Sequence, residues 1–116
     1  MSRFFLLLPL LAACATGESG LPLDKTLAEL DEDEWTQMCE WGNDQYEDAE
    51  IDCGDGTTVE MGSVDECVTE SMTYYGECSV TVESMEACVT AIADDPCSSD
   101  LPPECTGVLA CAFANF

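Results

Sequence analysis

The cysteines constrain this chain more than any other feature. Nine occur in 116 residues, and eight of them lie in the second and third thirds of the chain at spacings of six to fourteen residues. Such a set indicates either a disulfide framework or a metal site. The sequence has no CxxC pair and no histidine, which argues against zinc and iron-sulfur sites. The eight residues are Cys39, Cys53, Cys67, Cys78, Cys88, Cys97, Cys105 and Cys111.

The ninth cysteine, Cys14, follows a segment with the three-part plan of an export signal. Residues 1–13 carry one cation, Arg3, then the apolar run 4–11, then two alanines, and the run is too short to cross a bilayer. Residues 11–14 read LAAC, which resembles the lipobox of bacterial lipoproteins. That resemblance implies a type II signal peptide over 1–13, cleavage before Cys14, and a diacylglyceryl group on its sulfur.

Two localisations remain open for the processed chain. Ala15, rather than an aspartate, follows the predicted lipidation site, which implies an outer-membrane lipoprotein if the source has two membranes. Ordinary secretion is the alternative, because Ala13, Cys14 and Ala15 also form an AxA-like site that could be cut before Thr16. In either case export favours oxidised cysteines, so the eight are predicted to form four disulfides of unassigned pairing.

The rest of the chain predicts a small disulfide-rich, mainly α domain with about four short helices and a short β-hairpin. Residues 14–30 mix glycine, proline and acids and are interpreted as the lipidated N-terminus and a flexible tether, followed by a single domain over 31–116. Capping boxes predict helix starts at Asp31 with Glu34 and at Ser63 with Glu66. Two short alternating runs around GDG at 54–56 predict the hairpin.

A near-repeat and a C-terminal helix complete the predicted domain. TVEMGSVDECVT at 58–69 is answered by TVESMEACVT at 81–90, and each copy is interpreted as an extended TVE, a serine cap and a helix. Pro102 and Pro103 suit the first turn of a last helix. Cys105 and Cys111 lie about 9 Å apart along a regular helix and on different sides, so they are not expected to pair.

Charge and composition limit the functions that this chain can have. Without Arg3, Lys25 is the only cation against 25 carboxylates, so nucleic acid is repelled and is not an expected partner. The lack of histidine rules out a Ser/His/Asp or Cys/His site. The strongly negative surroundings raise thiol pKa values and disfavour disulfide exchange. We therefore predict no catalytic residue, no cofactor site and no metal site.

The phrases MCEW, DCGDGTTV, ECVT, EACV and LAC within residues 31–116 resemble small acidic eight-cysteine lipoproteins and secreted proteins of myxobacteria. That resemblance implies export, pairing and fold, but no activity. We expect a non-enzymatic interaction or structural module of the cell envelope, anchored to the membrane through its N-terminal lipid.

Two further functions are weighed against this expectation. One is an acidic inhibitor or neutraliser of a cationic secreted protease or toxin, so a cationic protein is a possible partner. The other is a weak Ca²⁺ binder or a minimal carboxylate hydrolase. Residues 48–59 fail the EF-hand pattern, because Cys53 stands at the turn glycine and Val59 at the bidentate glutamate.

Overall fold

The computed structural model of the chain describes residues 15–46 and 50–114. Within these ranges it contains four α-helices and one antiparallel hairpin, which confirms the predicted small, disulfide-rich, mainly helical fold. The helices and strands are α1 (Glu32–Asp44), β1 (Glu50–Asp52), β2 (Thr58–Glu60), α2 (Val64–Tyr75), α3 (Val82–Asp94) and α4 (Thr106–Ala114). Short 3-10 turns at Leu27–Glu29 and Pro103–Cys105 precede α1 and α4.

The first two helices begin where their capping boxes predict. At α1 the Glu34 amide donates to Asp31 Oδ1 at 2.8 Å, and the Asp31 amide donates to Glu34 Oε1 at 3.0 Å. Ser63 and Glu66 form the same reciprocal pair at the start of α2, at 3.1 Å in each direction. Each box satisfies helix-end amides that have no partner inside the helix.

The hairpin also forms as predicted. Strand β1 pairs antiparallel with β2, with Ile51 opposite Val59 and Glu50 opposite Glu60. Gly54 and Gly56 in the connecting turn have φ values of 83° and 92°, a region that side-chain-bearing residues rarely adopt. The glycines of the GDG motif are therefore required by the turn itself.

The second copy of the near-repeat does not fold like the first. Helix α3 begins at Val82, and Thr81 rather than Ser84 is its N-cap, accepting from the Ser84 amide at 3.3 Å. The predicted extended TVE and serine cap are wrong at this copy. The reason lies outside the repeat: the Val82 and Glu83 amides donate to the carbonyls of Lys25 at 2.8 Å and Leu23 at 3.1 Å, so the N-terminal segment satisfies the first turn.

Four disulfides pair the eight cysteines of the described chain. They are Cys39–Cys67, Cys53–Cys97, Cys78–Cys111 and Cys88–Cys105. As predicted, Cys105 and Cys111 do not pair with each other. The cysteines at equivalent positions of the near-repeat, Cys67 and Cys88, bond to α1 and to the turn before α4 respectively, so the disulfides do not follow a duplication.

Residues 15–30 belong to the folded domain, and the predicted flexible tether is wrong over this range. Leu21, Leu27 and Leu30 are buried with Trp35 and Val82 in the core. The Leu27 amide donates to the Val80 carbonyl at 2.8 Å, and Thr26 forms an isolated bridge with Thr81. Burial of these three leucines removes apolar area from water, and this stabilises the folded segment despite the linker-like composition around them. The predicted signal peptide 1–13 and Cys14 lie outside the described residues.

Candidate functional site

The segment that follows Cys14 is a loop held on α3 by a buried carboxylate. Glu86 is 8% exposed. Its Oε1 accepts from the Glu18 amide at 3.1 Å, and its Oε2 accepts from the Ser19 amide at 3.1 Å and from the Ser19 hydroxyl. Three donors to one desolvated carboxylate are charge-assisted bonds of the stronger kind. We call Glu86 with residues 15–22 the N-terminal clamp.

The backbone of this loop is shaped for the clamp. A side chain at Gly17 would overlap the Glu86 carboxylate, so only glycine allows the close approach. The Gly17 amide donates to the Leu21 carbonyl at 2.9 Å, and the Leu23 amide donates to the Ala15 carbonyl at 3.3 Å. The hydrogen bonds of this loop therefore extend to Ala15, the residue directly after the predicted lipidation site. An open hollow of about 680 Å³ lies beside the clamp and is lined partly by Glu83, Asp94 and Glu104.

A second surface feature is an apolar hollow of about 240 Å³ where α1, α2 and α3 meet. Trp35 and Tyr75 stack at its base with ring centroids 5.8 Å apart. Gly42 of α1 and Val89 of α3 both line the hollow, and a Cβ on the glycine would meet the valine side chain at an ordinary contact distance of 3.9 Å. The remaining lining residues include Met38, Tyr46, Met85 and the Cys39–Cys67 disulfide.

An acidic hollow of about 440 Å³ continues directly from the apolar one. The two share Asn43, Cys67, Ser71 and Tyr75, and the acidic hollow adds Glu60, Glu66 and Glu70. We call the two together the α1–α2 groove. One end of this groove is apolar and the other carries three carboxylates.

Ser71 lies where the two ends of the groove join. It is 8% exposed, and the only hydrogen-bonding partner of its hydroxyl within the described residues is the Cys67 sulfur at 3.9 Å. A disulfide sulfur is a weak acceptor, and this distance is long for a hydrogen bond. Ser71 therefore has hydrogen-bonding capacity that its protein neighbours do not use.

The carboxylates of the groove have no counter-charge from within the described residues. Lys25 is the only cation there, and its Nζ lies 2.6 Å from Glu34 Oε2. That hydrogen bond raises the pKa of Lys25 above its ordinary value. Burial raises the pKa of Tyr46 and of Tyr75, so both phenols in the groove stay neutral at physiological pH. The charge of the groove is therefore that of its glutamates.

The acids of the hairpin turn are used locally. Asp52 Oδ1 accepts from the Gly54 amide at 2.8 Å, and Asp55 Oδ1 accepts from the Thr57 amide at 3.1 Å. Hydrogen bonds from Thr57 lower the pKa of Asp55. Asp48 of the calcium-loop hypothesis lies outside the described residues. Within 15–46 and 50–114 no group of three or more acidic, cysteine or histidine side chains is placed to hold a metal ion.

Comparison with protein-family models, with curated proteins and with solved structures finds no match to this chain. None of the helices in the described ranges is long and apolar enough to cross a membrane.

The structure separates the predicted site residues into two groups. The eight cysteines are paired, as the sequence predicted, whereas Cys14 lies outside the described residues. The clamp is not predictable from the sequence, because an isolated glutamate and the motif TGESG carry no recognisable signal. Trp35 and Met38 are buried in the core, and with the partly buried Tyr75 they also line the apolar end of the groove.

Proposed function

We propose that this chain is a lipid-anchored, non-enzymatic interaction module of the cell envelope. One observation carries the proposal: the four disulfides use every cysteine except Cys14. No other cysteine of the same chain is left for Cys14 to pair with, which supports a separate role for its sulfur. LAAC at 11–14 and the oxidised framework are both consistent with export and lipidation.

The clamp supports the same proposal from a different direction. A loop that bonds to a buried carboxylate within five residues of Cys14 fixes the start of the domain close to the attachment point. A membrane anchor of two or three acyl chains is stable, whereas one chain alone is marginal. The proposed module is therefore held at the membrane by lipid and displays its acidic surface there.

Substitution of Cys14 tests the anchor. We expect wild-type protein from a lipoprotein-processing bacterial host to incorporate labelled fatty acid and to enter the detergent phase. Cys14→Ser should lose both properties and keep its four disulfides, measured by intact mass with and without reduction. Ala15→Ser is the matched control, because it leaves LAAC intact and should behave as wild type. A wild-type protein that stays in the aqueous phase with Thr16 as its first residue would establish ordinary secretion instead.

A second candidate function is neutralisation of a cationic secreted protein. It is favoured by the chain's 25 carboxylates against two basic residues and by the uncompensated glutamates of the α1–α2 groove. The two candidates share an interaction surface and differ in whether the partner is inhibited. They are separated by adding the purified protein to a basic protease or toxin and measuring its activity at low and high salt.

A further inference from the structure

We propose that the α1–α2 groove binds a basic peptide segment of a partner protein, in which one large apolar side chain is flanked by lysine or arginine. This inference rests on the proposed function as an interaction module and names its binding surface and the chemistry of its partner.

The size of the apolar end favours a side chain over a free small molecule. At about 240 Å³ it lies below the range of roughly 300–1,000 Å³ that is usual for small-molecule pockets. Aromatic, methionine and valine side chains make up most of its lining, around the stacked pair Trp35 and Tyr75. A phenylalanine or leucine of an extended peptide matches this lining, because large apolar anchors in small pockets supply most of the binding energy at interfaces.

The negative charge at the acidic end of the groove favours a cationic residue next to the apolar residue of the peptide. Glu60, Glu66 and Glu70 line it, and the single cation of the described residues is bound to Glu34. Like-charged Glu50 and Glu60 stand directly opposite each other in the hairpin, a pairing that is unfavourable without a counter-charge. A lysine or arginine next to the anchored residue meets the groove carboxylates Glu60, Glu66 and Glu70, and its charge at Glu60 also offsets the repulsion from Glu50.

Ser71 supplies an independent observation that points to a ligand. Its hydroxyl is buried at the junction of the two ends and lacks a good partner within the described part of the chain. A peptide crossing the junction brings backbone amide and carbonyl groups to this position, and either one can bond with a hydroxyl. The groove thus offers an apolar contact, a hydrogen-bonding group and negative charge in one line.

The test uses the oxidised protein as isolated from its host and three synthetic peptides. The first is acetyl-Gly-Lys-Phe-Lys-Gly-amide; the second replaces Phe with Gly, and the third replaces both Lys with Glu. Binding is measured by calorimetry and by amide chemical shifts. We expect only the first to bind at low salt, to shift resonances of α1 and α2, and to bind more weakly as salt rises.

Two pairs of variants locate the site. Gly42→Leu places a large apolar side chain at the apolar end, where an added Cβ meets Val89 at an ordinary contact distance of 3.9 Å; we expect it to abolish binding, and thermal unfolding of the oxidised variant checks that it is folded. Gly107→Leu is its control: it is also helical, meets open space and does not line the groove. Glu60→Gln with Glu70→Gln should weaken binding at least about tenfold at low salt, whereas Glu83→Gln with Glu104→Gln, which removes equal charge from the other hollow, should not.

Three results would overturn the proposal. The first is equal affinity for the Phe peptide and the peptide in which Gly replaces Phe, which would show that binding depends on net charge alone. The second is wild-type affinity in folded Gly42→Leu. The third is self-association that Gly42→Leu abolishes in the absence of peptide, which would make a second copy the occupant. The peptide assay does not depend on Cys14, so the two proposals can fail separately: lipidated protein that does not bind the peptide refutes the groove alone, and wild-type protein that binds the peptide but leaves its host without lipid refutes the anchor alone.

Discussion

Single residues decide how the N-terminus is held, and Glu86 is the most consequential of them. A buried carboxylate in the first half of a helix usually requires compensation, and here two amides and a hydroxyl supply it. Gly17 makes the arrangement possible because any side chain would displace the carboxylate. Neither residue could be singled out from the sequence, since 25 acids and eight glycines offer no local cue to the one pair that meets.

Truncation of Glu86 should destabilise the domain. Glu86→Ala leaves the amides of Glu18 and Ser19 without their acceptor, and we expect a loss of about 3 kcal/mol in the free energy of unfolding. Denaturant unfolding of the oxidised protein measures this loss, and hydrogen exchange of the two amides should accelerate. Glu40→Ala, an exposed mid-helix change in α1, is the control, with an expected effect within about 0.5 kcal/mol. Equal stability of the two variants would contradict the clamp.

At the scale of elements, local capping boxes set the starts of α1 and α2, whereas tertiary contacts set the start of α3. The boxes Asp31/Glu34 and Ser63/Glu66 are complete within four residues, so the sequence predicts α1 and α2 correctly. At α3 both Thr81 and Ser84 are competent caps. The choice of Thr81 follows from the burial of Val82 and from the carbonyls of Leu23 and Lys25, which come from a segment more than fifty residues away.

The cap of α3 can be tested by paired substitutions. Thr81→Ala removes the side-chain oxygen that accepts from the Ser84 amide, and we expect it to lower the free energy of unfolding by about 1 kcal/mol. Ser84→Ala removes only a weak contact to the Thr81 hydroxyl at 3.4 Å, so its effect should be within about 0.5 kcal/mol. Thermal unfolding of both oxidised variants provides the comparison. A larger loss in Ser84→Ala would restore the serine cap that the near-repeat predicted.

At the scale of the whole molecule, the sequence predicts how many disulfides form but not which cysteines they join. Eight cysteines allow 105 pairings, and helix geometry removes only those that join Cys105 to Cys111. The observed set depends on which helices pack together: α1 against α2 through Cys39–Cys67, and the hairpin against the end of α3 through Cys53–Cys97. The predicted start of the domain at residue 31 is wrong for a related reason. Leu21 and Leu27 are recognisable as core residues only once the surface that covers them is known.

Reduction should unfold the protein near neutral pH. The disulfides close sequence separations of 17 to 44 residues, and loop closure assigns each about 3–4 kcal/mol, which together is comparable to the entire stability of an ordinary domain. Intact mass should rise by two hydrogens for each of the four disulfides. Circular dichroism should then lose its cooperative thermal transition at low salt, whereas the oxidised form should gain stability as salt screens its carboxylates. A cooperative transition in fully reduced protein would show that the framework is dispensable.

If the proposed lipid on Cys14 is present, the clamp also limits how far the domain can move from its point of attachment. The Ala15 carbonyl already accepts a hydrogen bond from the Leu23 amide. An acylated Cys14 would therefore leave a linker of about one residue, or roughly 3.5 Å, between the lipid and the domain. A seventeen-residue tether would have let the domain sample a wide volume of the envelope. With Cys14 acylated as we propose, the folded residues 15–30 would instead confine the domain to a thin layer at the bilayer surface, where it would meet partners by lateral diffusion and could not bind those that remain far above the membrane.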